Sequence, residues 1–567
     1  MACPAEECDT IISSSFCSQM KLLLAVFLVF LGSTVLADDP TVDVTVQTQS
    51  GSATIRGYKH PYGTSFRGIR YAQAPLGNLR FAEAQRYDPA GLVTALGYGR
   101  VCTQGDGKSS GEDCLFINVF TPNNVTQTSK LPVYVYIHGG GFVEGSGDMG
   151  AGIYPNLVNK GPIVLVSMNY RLGPFGFFST RDAMAPGNWA ISDWIEGLNW
   201  VQRYIVFFGG DPNRVTIGGQ SSGAEAVSTL TLTPLAKSLF KQSIHESGSA
   251  FGAAVMSYSE KTRSTSKQLS VKLGCATADQ WESGQNFGPI LNCLRGITYD
   301  KIVTADNSLP GHRMKWSIVQ DKKYLTQRLE YLALQRDPTK NVLIGDVHDE
   351  WLGWEMYNIL HNLNSTHNTG TQIKYDLKDC YEMTYWDNPT SVTVAANNKY
   401  VNNQGWADND HRDWEARRIQ LWSEMVFIGP TLRDAAYFQY MKNNVYLYSL
   451  DWLSPPALPQ VTDPLFRGCE HTWELQYIFS TSCNGFTCTP QDENLRDYFT
   501  STWLNFIKGG NPTPAGSPLP FKWLAMDKTN RFLSFSPNPK MQPNYHPDSM
   551  FWVCTAPTID GYKGPFC

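Results

Sequence analysis

Five short runs of nearly continuous apolar character constrain the fold of this chain more than any other feature. They are Leu131–Ile137 (LPVYVYI), Ile163–Met168 (IVLVSM), Arg214–Ile217 (RVTI), Asn341–Ile344 (NVLI) and Val445–Tyr448 (VYLY). They read as buried strands, and a strand that is apolar on both sides needs cover on both faces, as in a sheet sandwiched between helices. Between the runs the period changes: in Ile191–Phe207 (ISDWIEGLNWVQRYIVF), Ile191, Trp194, Ile195, Leu198, Val201 and Ile205 share one side of a helix. The alternation predicts an α/β fold, a large sheet with crossover helices on both faces. The long stretches between strands read as insertions over the carboxyl edge of the sheet, where α/β enzymes bind ligands. No repeat, low-complexity tract or long linker divides the 567 residues.

Composition agrees with a packed interior: 42% of residues are hydrophobic and 17% charged. The 46 basic and 51 acidic side chains give a net charge of -5 without a long run of either sign, so the electrostatic footprint of a nucleic-acid partner is missing. Aromatics at 13%, with 16 Trp, suit a large core or a deep apolar cleft.

From Met20 the chain reads Met-Lys, an apolar run Leu22–Leu31, then Gly-Ser-Thr-Val-Leu-Ala to Ala37 before Asp38-Asp39-Pro40. These are the parts of a secretory signal peptide, and the run is shorter than the ~20 apolar residues that span a bilayer. Residues 1–19, with Glu6, Glu7 and Asp9, do not resemble a signal start, which leaves Met1 and Met20 as alternative initiators. The expected organisation is an extension plus leader over 1–37 and one domain over 38–567, exported and without an integral membrane span. Cleavage after Ala37 removes Cys3, Cys8 and Cys17 and leaves ten of the 13 cysteines, an even set that suits disulfides. Sequons at Asn124 and Asn364 mark candidate glycosylation sites.

Two glycine-rich segments carry the chemistry. Gly219-Gln220-Ser221-Ser222-Gly223 follows the run RVTI and precedes the helix-compatible Ala224–Leu230. Glycines two residues either side of a serine permit a sharp strand-to-helix turn that presents the hydroxyl at a helix N-terminus. The pattern alone arises by chance roughly 0.3 times in a chain with this much glycine, so the flanking strand and helix carry the argument. His138-Gly139-Gly140-Gly141-Phe142 follows the run LPVYVYI. Its uncovered N–H groups at Gly140 and Gly141, with that of Ser222, suit an oxyanion hole. No phosphate-loop lysine follows, which disfavours nucleotide binding.

With these motifs in place the chain resembles the carboxylesterase type B and cholinesterase-like branch of the α/β-hydrolases, almost end to end. Matching stretches include Phe66-Arg67-Gly68-Ile69-Arg70-Tyr71-Ala72, Glu112-Asp113-Cys114-Leu115-Phe116, Asn169-Tyr170-Arg171, Phe208-Gly209-Gly210-Asp211-Pro212 and Gly510-Asn511-Pro512. The resemblance implies the α/β-hydrolase fold, ester hydrolysis without a cofactor, small-molecule ester substrates and a Ser, Glu, His triad in that order; no His-Glu-x-x-His or paired Cys-x-x-Cys marks a metal site. Ser221 is the implied nucleophile, and His471 in Gly468-Cys469-Glu470-His471-Thr472-Trp473-Glu474 resembles the family's base loop. Glu350 aligns with the family's acid; Asp346 and Asp349 are its neighbours, and Trp351 stands where the family has glycine. A serine hydrolase of this kind needs a neutral imidazole, so an ordinary histidine predicts activity rising between about pH 6 and 7.

Two departures bear on substrate. No tryptophan lies between Cys102 and Cys114, where cholinesterases carry the one that holds a quaternary ammonium, and Gln220 replaces their glutamate before the nucleophile. A neutral carboxylic ester fits better than a choline ester. Lipase-like action and a non-catalytic adhesion role are the rival readings, and the intact Ser221, glycines and His471 argue against the second. The resemblance also implies the disulfides Cys102–Cys114 and Cys275–Cys293. Cys380, Cys469, Cys483, Cys488, Cys554 and Cys567 remain with 15 possible pairings, and a disulfide at Cys469 would brace the loop of His471.

Overall fold

The computed structural model describes residues 41–567 apart from 106–109, 150–153, 253–255, 258–260, 285, 311–314, 361–367, 382–385, 460 and 484. The expected leader at 1–37 and the sequon at Asn364 lie outside the described residues, as does the side chain of Cys380.

All five apolar runs are strands: Leu131–Ile137, Val164–Met168, Gly210–Gln220, Asn341–Val347 and Val445–Leu450. They belong to a 13-stranded sheet whose centre runs parallel, in the spatial order 164–168, 131–137, 210–220, 242–246, 341–347, 445–450 and 532–535. On one side of this centre Thr41–Thr48, Gly51–His60, Gly63–Arg70 and Phe116–Thr121 follow one another antiparallel, with Phe116–Thr121 pairing onto Val164–Met168. Parallel neighbours need crossover connections, and the helices Trp189–Tyr204, Ser222–Leu232, Gly429–Tyr440 and Pro490–Gly509 lie between successive strands of the chain.

The two faces of Leu131–Ile137 show why the run is apolar throughout. Val133, Val135 and Ile137 enter one core with Trp194, Leu198 and Val201 of the helix Trp189–Tyr204. Tyr134 and Tyr136 enter another with Phe499 and Trp503 of the helix Pro490–Gly509. Burying such side chains contributes about 1.5–3 kcal/mol each, so both faces of the sheet stabilise it. The segment Asn169-Tyr170-Arg171 is fixed to the first helix by a buried ion pair: Arg171 donates to Asp193 through Nε (2.9 Å) and Nη2 (2.7 Å).

Cys102–Cys114 and Cys275–Cys293 are paired as the resemblance implies, and Cys483–Cys488 and Cys554–Cys567 are paired as well. The expected brace at Cys469 is corrected: Cys469 is unpaired and buried, a small apolar member of the second core. Backbone hydrogen bonds hold its loop instead. No described helix is long and apolar enough to cross a membrane.

Candidate active site

The strand Gly210–Gln220 ends at Ser221, whose φ of 58° and ψ of -131° lie where a side chain is strained. Such a conformation costs about 1–3 kcal/mol and persists only where its surroundings impose it. Here they do. A Cβ on Gly219 would lie 2.5 Å from the Gly223 carbonyl and 2.6 Å from Ile137 O, and one on Gly223 would overlap Ile137 O. The Ser221 N–H donates to Glu246 O (2.8 Å), and Ser221 O accepts from Glu225 N (3.0 Å) to open the helix Ser222–Leu232.

The glycine loop packs against this turn. Gly140 and Gly141 have φ of 111° and 61°, and the carbonyl of Gly140 turns back to accept from Val143 N and Glu144 N. Phe142 N donates to Ser222 Oγ (3.2 Å), tying the loop to the start of the helix. Gly140, Gly141, Ser221 and Ser222 all line one cavity of about 230 Å³. His138 takes no part in it. Its ring stacks on Tyr170 at 4.4 Å, and burial pushes its pKa down to about 4.

The strand Asn341–Val347 carries Asp346 and leads into the turn that carries Asp349 and Glu350. Glu350 is fully buried; its Oε1 accepts from Val347 N (2.9 Å) and its Oε2 accepts from His471 Nδ1 (2.5 Å). Asp349 pairs with His348 instead, and Asp346 accepts from Thr431 (2.9 Å) and Tyr545 (2.7 Å). The acid and base loops are joined along their backbones, with Asp349 N donating to Cys469 O (3.0 Å) and His471 N to Glu350 O (3.2 Å). Burial pushes the His471 imidazolium down and the Glu350 carboxyl up, each toward its uncharged form. The Ser247 hydroxyl and the Val347 N–H oppose that on Glu350 by favouring its charged form.

His471 Nε2 also has a partner, and it is not Ser221. The Gln220 amide nitrogen sits 3.2 Å from Nε2, while no hydrogen bond of Ser221 Oγ occurs among the described residues. Three more lining residues escape a reading of local sequence. Phe427 and Trp354 flank the His471 ring at 4.5 and 5.2 Å, and Trp354 stacks between Phe427 and Trp351, with Trp422 beyond Trp351. Glu225 lies on the cavity wall one helical turn after Ser221, and burial pushes its carboxyl up to about 8. Glu225 four residues after Ser221 and Trp354 four residues after Glu350 had that spacing as their one signal; Phe427 comes from a distant segment.

The chain is similar to known proteins over most of its length. The model of the carboxylesterase family matches residues 40–552. The liver carboxylesterase of Sus scrofa is 29% identical over 92% of this chain and 94% of its own, and the cocaine esterase of Homo sapiens is 28% identical over 84% of each. A medium-chain fatty acyl-CoA hydrolase precursor of Anas platyrhynchos is 27% identical over 90% of this chain and 91% of its own. A crystal structure of a Geobacillus stearothermophilus carboxylesterase has the same fold, with a TM-score of 0.72 and 24% identity over 90% of this chain and 100% of that one. The chain belongs to the carboxylesterase family, with its α/β-hydrolase fold, and is a carboxylic ester hydrolase.

Proposed function

We propose that this enzyme is a secreted serine esterase that cleaves neutral carboxylic esters through Ser221, His471 and Glu350. The observation that carries the reading is convergence: Ser221 on its strained turn, Gly140 and Gly141, and the Glu350-bonded His471 all meet at one cavity. In this reading Ser221 Oγ attacks the ester carbonyl while His471 Nε2 takes the hydroxyl proton. Glu350 holds Nδ1–H and stabilises the imidazolium, and the N–H groups of Gly140, Gly141 and Ser222 receive the oxyanion. His471 returns the proton to the departing alcohol, then takes one from water as it hydrolyses the acyl-enzyme.

The walls favour an uncharged substrate. Phe142, Trp316, Trp351, Trp354, Val426 and Phe427 supply apolar surface, and Glu225 is held protonated at neutral pH by burial. Export is supported by four disulfides, by the exposed position of the sequon residue Asn124 and by the leader-like 20–37. A fluorophosphonate probe tests the mechanism. The purified protein becomes labelled, and Ser221→Ala loses both labelling and at least about 10⁴-fold of its esterase activity; an unchanged Ser221→Ala variant would sink the assignment.

A further inference from the structure

The base of this site is already occupied. His471 has two ring nitrogens: Nδ1 is bound to Glu350 at 2.5 Å, and Nε2 faces the Gln220 amide nitrogen at 3.2 Å. The carboxylate on Nδ1 selects the tautomer with its proton there, leaving a single lone pair on Nε2. One lone pair accepts one strong hydrogen bond, and Ser221 needs the same lone pair to give up its proton. Gln220 is 3% exposed and adjoins Ser221, at the end of a strand paired with Gln242–Glu246. Its amide is therefore held beside the base by the core.

Resting on the reading of Ser221 and His471 as nucleophile and base, we propose that Gln220 is a positioning residue that caps the neutral form of His471 in the resting enzyme and must release Nε2 before acylation. An amide on Nε2 favours the unprotonated ring, because its N–H donates to the lone pair and it carries no negative charge. A carboxylate in the same place does the reverse: it accepts from Nε2–H and stabilises the imidazolium. The other titratable groups acting on His471 are Glu474, Glu470 and Glu350, with Glu225 on the same cavity wall. Substrate entry has to turn the Gln220 amide aside, so the enzyme holds its nucleophile inactive until the cavity fills.

Two shape-conserving variants test this, read as the second-order rate of fluorophosphonate labelling between pH 4 and 9. Gln220→Met removes the donor, so its plateau rate rises about fivefold over the wild type, the worth of one ordinary hydrogen bond. Gln220→Glu moves the midpoint of the acid limb upward by about one pH unit or more, as a carboxylate beside an imidazole does. A Gln220→Met rate at or below the wild type, or a Gln220→Glu midpoint that stays put, overturns the proposal while leaving Ser221 as nucleophile. A wild-type protein that takes no label at all overturns both.

Discussion

The serine turn and the joined acid and base loops reach the same cavity by different physics. The turn is imposed by exclusion: Gly219 and Gly223 admit the backbones of Gly223 and Ile137 so closely that only one path remains for Ser221. The loops are held by attraction between Glu350 and His471, 121 residues apart, through hydrogen bonds that local sequence does not contain. A site built by exclusion fails when volume is added, and one built by attraction fails when a single acceptor is lost.

The largest break in that contrast is on the attractive side. Glu350→Gln keeps the shape of the loop but lets the imidazole adopt the wrong tautomer, so kcat/KM falls roughly 10⁴-fold with the melting temperature nearly kept; a tenfold loss would move the acid elsewhere. Gly223→Ala breaks the other side, pushing the turn off Ile137 O. It lowers stability by about 1–3 kcal/mol and kcat/KM by about 10²-fold, read by thermal melt and ester hydrolysis together. The pH profile sharpens the comparison. Activity needs unprotonated Nε2, and a base whose pKa is depressed by burial keeps it to lower pH, so kcat/KM is level from about pH 6.5 to 8 and falls about tenfold per unit below its midpoint. A midpoint at or above 6.5 would show that the raised Glu350 carboxyl governs the pair. Smallest is Trp354→Leu: the ring is 42% exposed, so stability changes by less than about 1 kcal/mol and kcat/KM for apolar esters falls about threefold.

The same distinction explains what could be read from sequence. Five of the seven central strands were legible because burial on both faces writes a continuous apolar run, whereas Gln242–Glu246 is as buried but carries polar side chains; the serine turn was legible because steric exclusion writes glycines at fixed spacing. The antiparallel strands before residue 121 were not called from such runs. Thr41–Thr48 alternates exposed with partly buried positions and shows a period of two instead. Glu350 stood beside two other carboxylates until its contact with His471 separated them. Cys469 gave no sign that it would pack unpaired, since a core thiol and a half-disulfide are the same letter. Gln220 was visible as a departure from the family, but its place on Nε2 depends on a residue 251 positions away.

That separation bears on how the enzyme comes into being. Ser221, Glu350 and His471 follow the strands Gly210–Gln220, Asn341–Val347 and Val445–Leu450, and Gln242–Glu246 lies between the first two in the sheet. No fragment of the chain that stops short of residue 445 contains the base, and none that lacks the intervening strands can align it. During synthesis Ser221 is made 250 residues before His471, so on the proposed mechanism a nascent chain that has not reached residue 471 cannot work as a hydrolase. On that mechanism turnover reports that the strands Gly210–Gln220, Gln242–Glu246, Asn341–Val347 and Val445–Leu450 have come together in the sheet.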